Sequence, residues 1–245
     1  MLAAQLVGLS PSMIALAMGI VVIGSATQAS IGIGLGLLAA PILTLIDPGF
    51  IPGAISMCVL PLSVGMTLRE REHVDRAILR AVAGRLVGVV IGAVVLSRAG
   101  HGAIAIVVAV SVLLAVIGSA SGLRFAPTRR NLLIAGTASG FSGTVAAIGG
   151  PPMALTYQNA DPRTLRSSLA TFNTIGSAFT IPSLVIAGVL GARELRLALL
   201  LVPGVLVGLW LGRVGIARLR ADRVRAFVLL ACASSAIALL ANELL

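Results

Sequence analysis

The chain has 245 residues, 58% of them hydrophobic and only 11% charged, with a formal net charge of +10. A soluble domain carries about a quarter charged residues, so a water-soluble fold is excluded. The cations, all arginine, lie in short tracts between apolar runs, which argues for topology-setting loops over a nucleic-acid surface.

In chain order, the N-terminal residues lack a basic n-region and an evident cleavage site, so no removable signal peptide is expected. Apolar runs of about 20 residues then recur, the length that crosses a hydrocarbon core of about 30 Å. The first is interrupted: residues 12–46 contain Gly32, Gly34, Gly36 and Pro41, so a broken segment is expected there. Spans follow at 51–68, 77–97 and 102–122. A second broken segment, 131–158, carries Gly149-Gly150-Pro151-Pro152, and spans follow at 167–190, 197–212 and 226–245. Simple hydropathy counts about eight segments.

The two series repeat. Gly32 and Pro41 fall on Gly143 and Pro152 at a spacing of 111. Gly84, Gly88 and Gly92 fall on Gly204, Gly208 and Gly212 at a spacing of 120. Residues 1–122 and 123–245 are thus expected to be two related halves. Glycines at i, i+4 and i+8 give each matched helix a smooth stripe, a packing feature.

The segment 131–158 is too short for two crossings. It is either one broken crossing or a re-entrant hairpin, and the arginines favour the hairpin. Tracts 69–80 and 124–130 already lie on one side, and only a hairpin brings 213–225 to that same, cytoplasmic side. Each half then holds one hairpin and three spans, an odd number. The expected fold is an all-α polytopic membrane protein of two inverted repeats, with the hairpin tips meeting near the midplane.

Broken helices at a repeat interface point to a transporter's substrate site. Half-helix N-termini, expected near Leu37 and Pro152, suit an anion, so Gly34, Gly36, Gly149 and Gly150 are candidate donors. The same glycines also serve close packing. Arg85 lies near the centre of its span, where an unpaired charge is costly, and no acidic residue lies inside a span to pair with it. It either meets an anionic substrate or caps carbonyls at a hairpin tip. Gln28, Tyr157, Gln158 and Asn173 are further polar residues at membrane depth. Cys58 and Cys232 read as buried fillers, and His73 and His101 as solvated loop residues without a second metal ligand. No nucleophilic or metal constellation suggests an enzyme, and no cofactor or metal is expected.

These motifs carry a resemblance. Residues 28–53 (QASIGIGLGLLAAPILTLIDPGFIPG), 69–88 and 139–158 (SGFSGTVAAIGGPPMALTYQ), with RSSLATFN at 166–173, resemble the sulfite exporter TauE/SafE family, also called the 4-toluene sulfonate uptake permease family. The likeness covers most of the chain. Two departures stand out: Gly32-Ile33-Gly34-Leu35-Gly36 where the family is richer in Gly-Phe-Gly, and Ala146-Ala147 where further glycine or small residues are common. The resemblance implies a multi-pass transporter of sulfite, sulfonates or related organic anions in a bacterial-type inner membrane. Its partners would be the lipid bilayer and the anion, with self-association open. The rival readings are a passive anion channel and a non-transporting membrane scaffold.

Overall fold

The computed structural model describes residues 8–98, 100–121, 125–214 and 221–244. Among these the regular structure is entirely helical, with ten α-helices. In the first half, α1 (Pro11–Ile31) and α2 (Leu35–Ile46) form the broken segment, followed by α3 (Gly53–Glu70), α4 (Leu79–Arg98) and α5 (His101–Ala120). In the second, α6 (Arg129–Ala146) and α7 (Gly150–Thr156) are followed by α8 (Pro162–Ile186), α9 (Ala192–Val214) and α10 (Ala221–Leu244). Among the described residues six stretches are long and apolar enough to cross a membrane, and Leu35–Ile46 and Leu229–Ala241 are shorter apolar helices. The protein is a multi-pass helical membrane protein.

Local chemistry sets the boundaries. The Ser10 hydroxyl accepts from the Met13 amide with Pro11 opening α1, and Gly32, in the left-handed region at φ 91°, stops it. Thr128 caps α6, and Asp161 accepts from the amides of Arg163 and Thr164 to start α8. That cap begins α8 at Pro162, five residues before the span expected at 167. The arms entering each break also differ from the half-helices expected. At 1.5 Å per residue, α1 is about 31 Å long and α6 about 27 Å, near the full thickness of a hydrocarbon core. Only the returning arms are short.

Two tight helix pairs organise the bundle, and each joins one half to the other. On α4, Gly84, Gly88 and Gly92 lie against Leu133, Thr137 and Thr144 of α6, in that order. On α9, Gly204, Gly208 and Gly212 lie against Met18, Ser25 and Ala29 of α1, again in order. Both pairs therefore run parallel, with backbones closer than any side chain on the stripe would allow. Between them α3 packs on α8, where the hydroxyls of Thr67 and Thr174 meet at 3.2 Å, and α5 packs on α10.

These directions fix where the broken segments end. Asp47, at the end of α2, is paired with Arg193 at the start of α9, and α9 is parallel to α1. The end of α2 is therefore level with the start of α1. Likewise Tyr157, at the end of α7, donates at 3.0 Å to Asp75, just before α4, and α4 is parallel to α6. The Phe125 amide, ahead of α6, donates to the Leu155 carbonyl on α7 at 3.2 Å. Each segment doubles back to the end it came from. The outward faces are apolar: Ile186, Leu199 and Trp210 are exposed.

Candidate functional site

The two breaks touch. A side chain at Gly36 would collide with the Ala147 carbonyl, and one at Gly150 would come within 2.8 Å of Ile33. Ala147 itself adopts φ 58°, a strained conformation for a residue with a Cβ, held by this contact and by the turn that ends α6. Where the tips meet, α3, α4 and α8 close around a void of about 30 Å³, room for about two water molecules. Gln28, Gly34, Gly36, Gly149, Gly150, Asn173 and Arg85 all line it.

Arg85 is 3% exposed and held from α8. Its Nη1 donates to Asn173 Oδ1 at 3.2 Å, and its guanidinium carbon sits 4.6 Å from the centre of the Phe172 ring. A Cβ at Gly176 would occupy the place of Arg85 Nε, so the lone glycine of α8 is what lets the side chain lie across that helix. Among the described residues Arg85 Nε has no hydrogen-bond partner, and no carboxylate lines the void. A buried cation whose neighbours are an amide oxygen and an aromatic ring lacks the counter-charge that such burial demands.

Helix ends add to the positive potential. Gln28 Oε1 accepts from the Leu35 amide at 3.0 Å, capping α2 and leaving the Gln28 NH2 group as its donating end. Gly36 and Leu37, in the first turn of α2 and lining the void, have no acceptor within the helix. On the other hairpin, Pro151 and Pro152 carry no N–H, so α7 offers little beyond Gly150. The returning helices begin at Leu35 and Gly150, two residues before the starts expected from sequence.

Three sequence candidates lie away from the void. Pro152 is half-buried within α7, while its neighbour Pro151 lines the void. Tyr157 is engaged with Asp75, and Gln158 is half-buried beyond the end of α7. Cys58 and Cys232 are buried, as filler residues are. His73 departs from the expected solvated loop: it sits half-buried in a 3-10 turn with Nδ1 buried and unpartnered. The side chain of His101 lies outside the described residues. Among the described residues no His, Cys, Asp and Glu cluster could hold a metal ion.

Each end of the bundle has a cleft. At the end where α1 begins, the cleft is about 510 Å³ and includes Asp47, Arg193 and Glu194. At the other it is about 730 Å³ and lined by Arg69, Arg71, Arg163, Arg166 and Arg213 with Glu70 and Glu72. The rest of the basic tract 213–225 falls largely outside the described residues. Between that cleft and the break in α1 lies an ion network the sequence reading missed. Glu70 accepts from Arg166 through both oxygens, at 3.1 and 3.2 Å, and from Arg69 at 2.7 Å. The two arginines also donate to the Ala29 and Ser30 carbonyls at the C-terminal end of α1, where cations are favoured. Glu70 and Arg166 are 96 residues apart, and nothing in their local sequence announces the pairing.

No curated protein and no solved structure matches the chain. The family model described as sulfite exporter TauE/SafE matches residues 16–239, which takes in both breaks, Arg85 and the glycine stripes of α4 and α9. The chain belongs to the sulfite exporter TauE/SafE family of membrane transporters.

Proposed function

We propose that this chain carries a small anion, sulfite or a related sulfonate or organic anion, across a bacterial-type inner membrane through the void at Arg85. The observation that carries this reading is the guanidinium buried at 3% exposure with no carboxylate beside it among the described residues. An anion arriving there supplies the missing counter-charge and is joined by the open amides of α2.

The proposed architecture is two inverted repeats, each a re-entrant hairpin and three spans. Supporting it, the hairpins enter from opposite ends of the bundle and the two parallel pairs exchange partners between halves. Tract 69–80 and the arginines at 129 and 130 fall at the end where α6 begins, which the positive-inside rule assigns to the cytoplasm. Alternating access then requires the Glu70–Arg166 network to release α1 when the cytoplasmic side opens, and the Asp47–Arg193 pair to part when the other side does.

Transport of radiolabelled sulfite into proteoliposomes tests this. Arg85→Ala should lower saturable uptake by about ten- to a hundredfold, the value of a charged hydrogen-bonding partner. Counterflow driven by unlabelled anion separates a carrier from a passive channel, which shows none. Wild-type transport that survives Arg85→Ala unchanged would remove the site from this residue.

A further inference from the structure

Hydroxyl groups in the spans of this protein normally satisfy themselves. Thr27, Ser30, Thr44, Thr137, Thr171 and Ser177 each donate to the carbonyl four residues earlier, at 2.6 to 3.0 Å. Ser56 and Thr180 do not. Both are buried, at 5% and 3% exposure, and neither oxygen has a hydrogen-bond partner. Both line the void at Arg85, Ser56 from the first turn of α3 and Thr180 from α8. A buried hydroxyl left unmade loses its water without a replacement. Two such groups facing one small polar void, beside an unpaired cation, describe a ligand's outline.

Building on the void as an anion site, we infer that Ser56 and Thr180 donate hydrogen bonds to the bound anion, and that with Arg85 they select a small inorganic oxyanion. Three helices each bring one donor group, α3 and α8 a hydroxyl and α4 a guanidinium, which suits an anion offering at least three oxygens. At about 30 Å³, room for about two water molecules, the void is on the scale of a compact anion rather than of an aromatic ring. Among the described residues the other buried hydroxyls without a partner, Ser25, Ser63 and Thr144, do not line the void. They provide the internal control.

The test is equilibrium binding of radiolabelled sulfite to the purified full chain in detergent, with displacement by sulfate and by benzenesulfonate. Ser56→Ala and Thr180→Val should each weaken sulfite binding by about tenfold, one charge-assisted hydrogen bond each. Ser56→Thr, which keeps the hydroxyl, should bind within about twofold of wild type. Ser63→Ala, the same deletion two turns away on α3, should leave binding unchanged. Sulfate should displace sulfite and benzenesulfonate should not. Wild-type affinity in both Ser56→Ala and Thr180→Val, with Arg85→Ala still impaired, overturns the hydroxyl donors and leaves the anion site standing. Equal displacement by benzenesulfonate overturns the size selection. A wild-type protein that binds no anion overturns both the donors and the anion site. Matching melting temperatures across the variants separate lost binding from lost fold, and Ser56→Thr reports on the hydroxyl if Ser56→Ala does not fold.

Discussion

Arg85 and Asp47 show how differently one charge is treated at two depths. Arg85 is buried with an amide oxygen and an aromatic face for company, which orients it without neutralising it. Asp47 lies at the edge of the bundle and is fully answered. Burial would raise its carboxyl, but hydrogen bonds from Arg193 and the Gly49 amide, together with the arginine's charge, hold it below the usual aspartate range. A carboxyl lowered in the folded state contributes stability above its unfolded pKa of about 3.9, and loses it as pH falls through the folded value. The pair is half open to solvent on the arginine side, so its worth is modest. Asp47→Asn should therefore melt about 1–3 °C below wild type at pH 7 in detergent. The gap should narrow as the pH is taken below about 4. A gap that is constant with pH would mean the ion pair is not its source.

At the scale of elements, the glycine stripes are the strongest determinants. The Cβ of any residue at Gly88 would run into the Thr137 carbonyl and lie 2.6 Å from the Phe141 amide, both backbone atoms that cannot rotate aside. Gly88→Leu should push α4 from α6 and cost about 1–3 kcal/mol or more, read as a lower melting temperature in detergent. Gly19→Leu, on the open face of α1 with nothing within 4 Å, should melt like wild type. These stripes were legible in the sequence because spacing alone marks them, and so were both breaks, where glycine and proline interrupt apolar runs. The lengths of the entering arms were not, since hydropathy does not register a returning helix that shares the same apolar run. Nor was the start of α8, which rests on the Asp161 cap in a polar stretch. At the site, Arg85 stood out because charge is rare at depth. Gly176, Ser56 and Thr180 did not, because a glycine or hydroxyl in a span is ordinary until its neighbours from distant helices are known.

At the scale of the whole molecule, the halves are not separable bodies. The helix that packs on α1 is α9, and the one that packs on α6 is α4, so each half holds a hairpin whose tight partner belongs to the other. Residues 1–122 expressed alone should be degraded or aggregate, and the same should hold for residues 123–245. Both fragments produced together should assemble into a complex that co-purifies and melts as one. A half that folds and resists proteolysis by itself would show that its internal contacts suffice. The same exchange ties α1 to α9 and α4 to α6 across the boundary between the halves.

The parallel pairing of α1 with α9 also sets a schedule. Gly204 is made 186 residues after Met18, the residue it lies against. At about 5–20 residues per second, the first helix waits roughly 10 to 40 seconds before its partner leaves the ribosome. Throughout that time its small-residue face is open to lipid and to other nascent helices. The chain that builds this bundle therefore inserts α1 long before synthesis supplies the contact that covers its small-residue face.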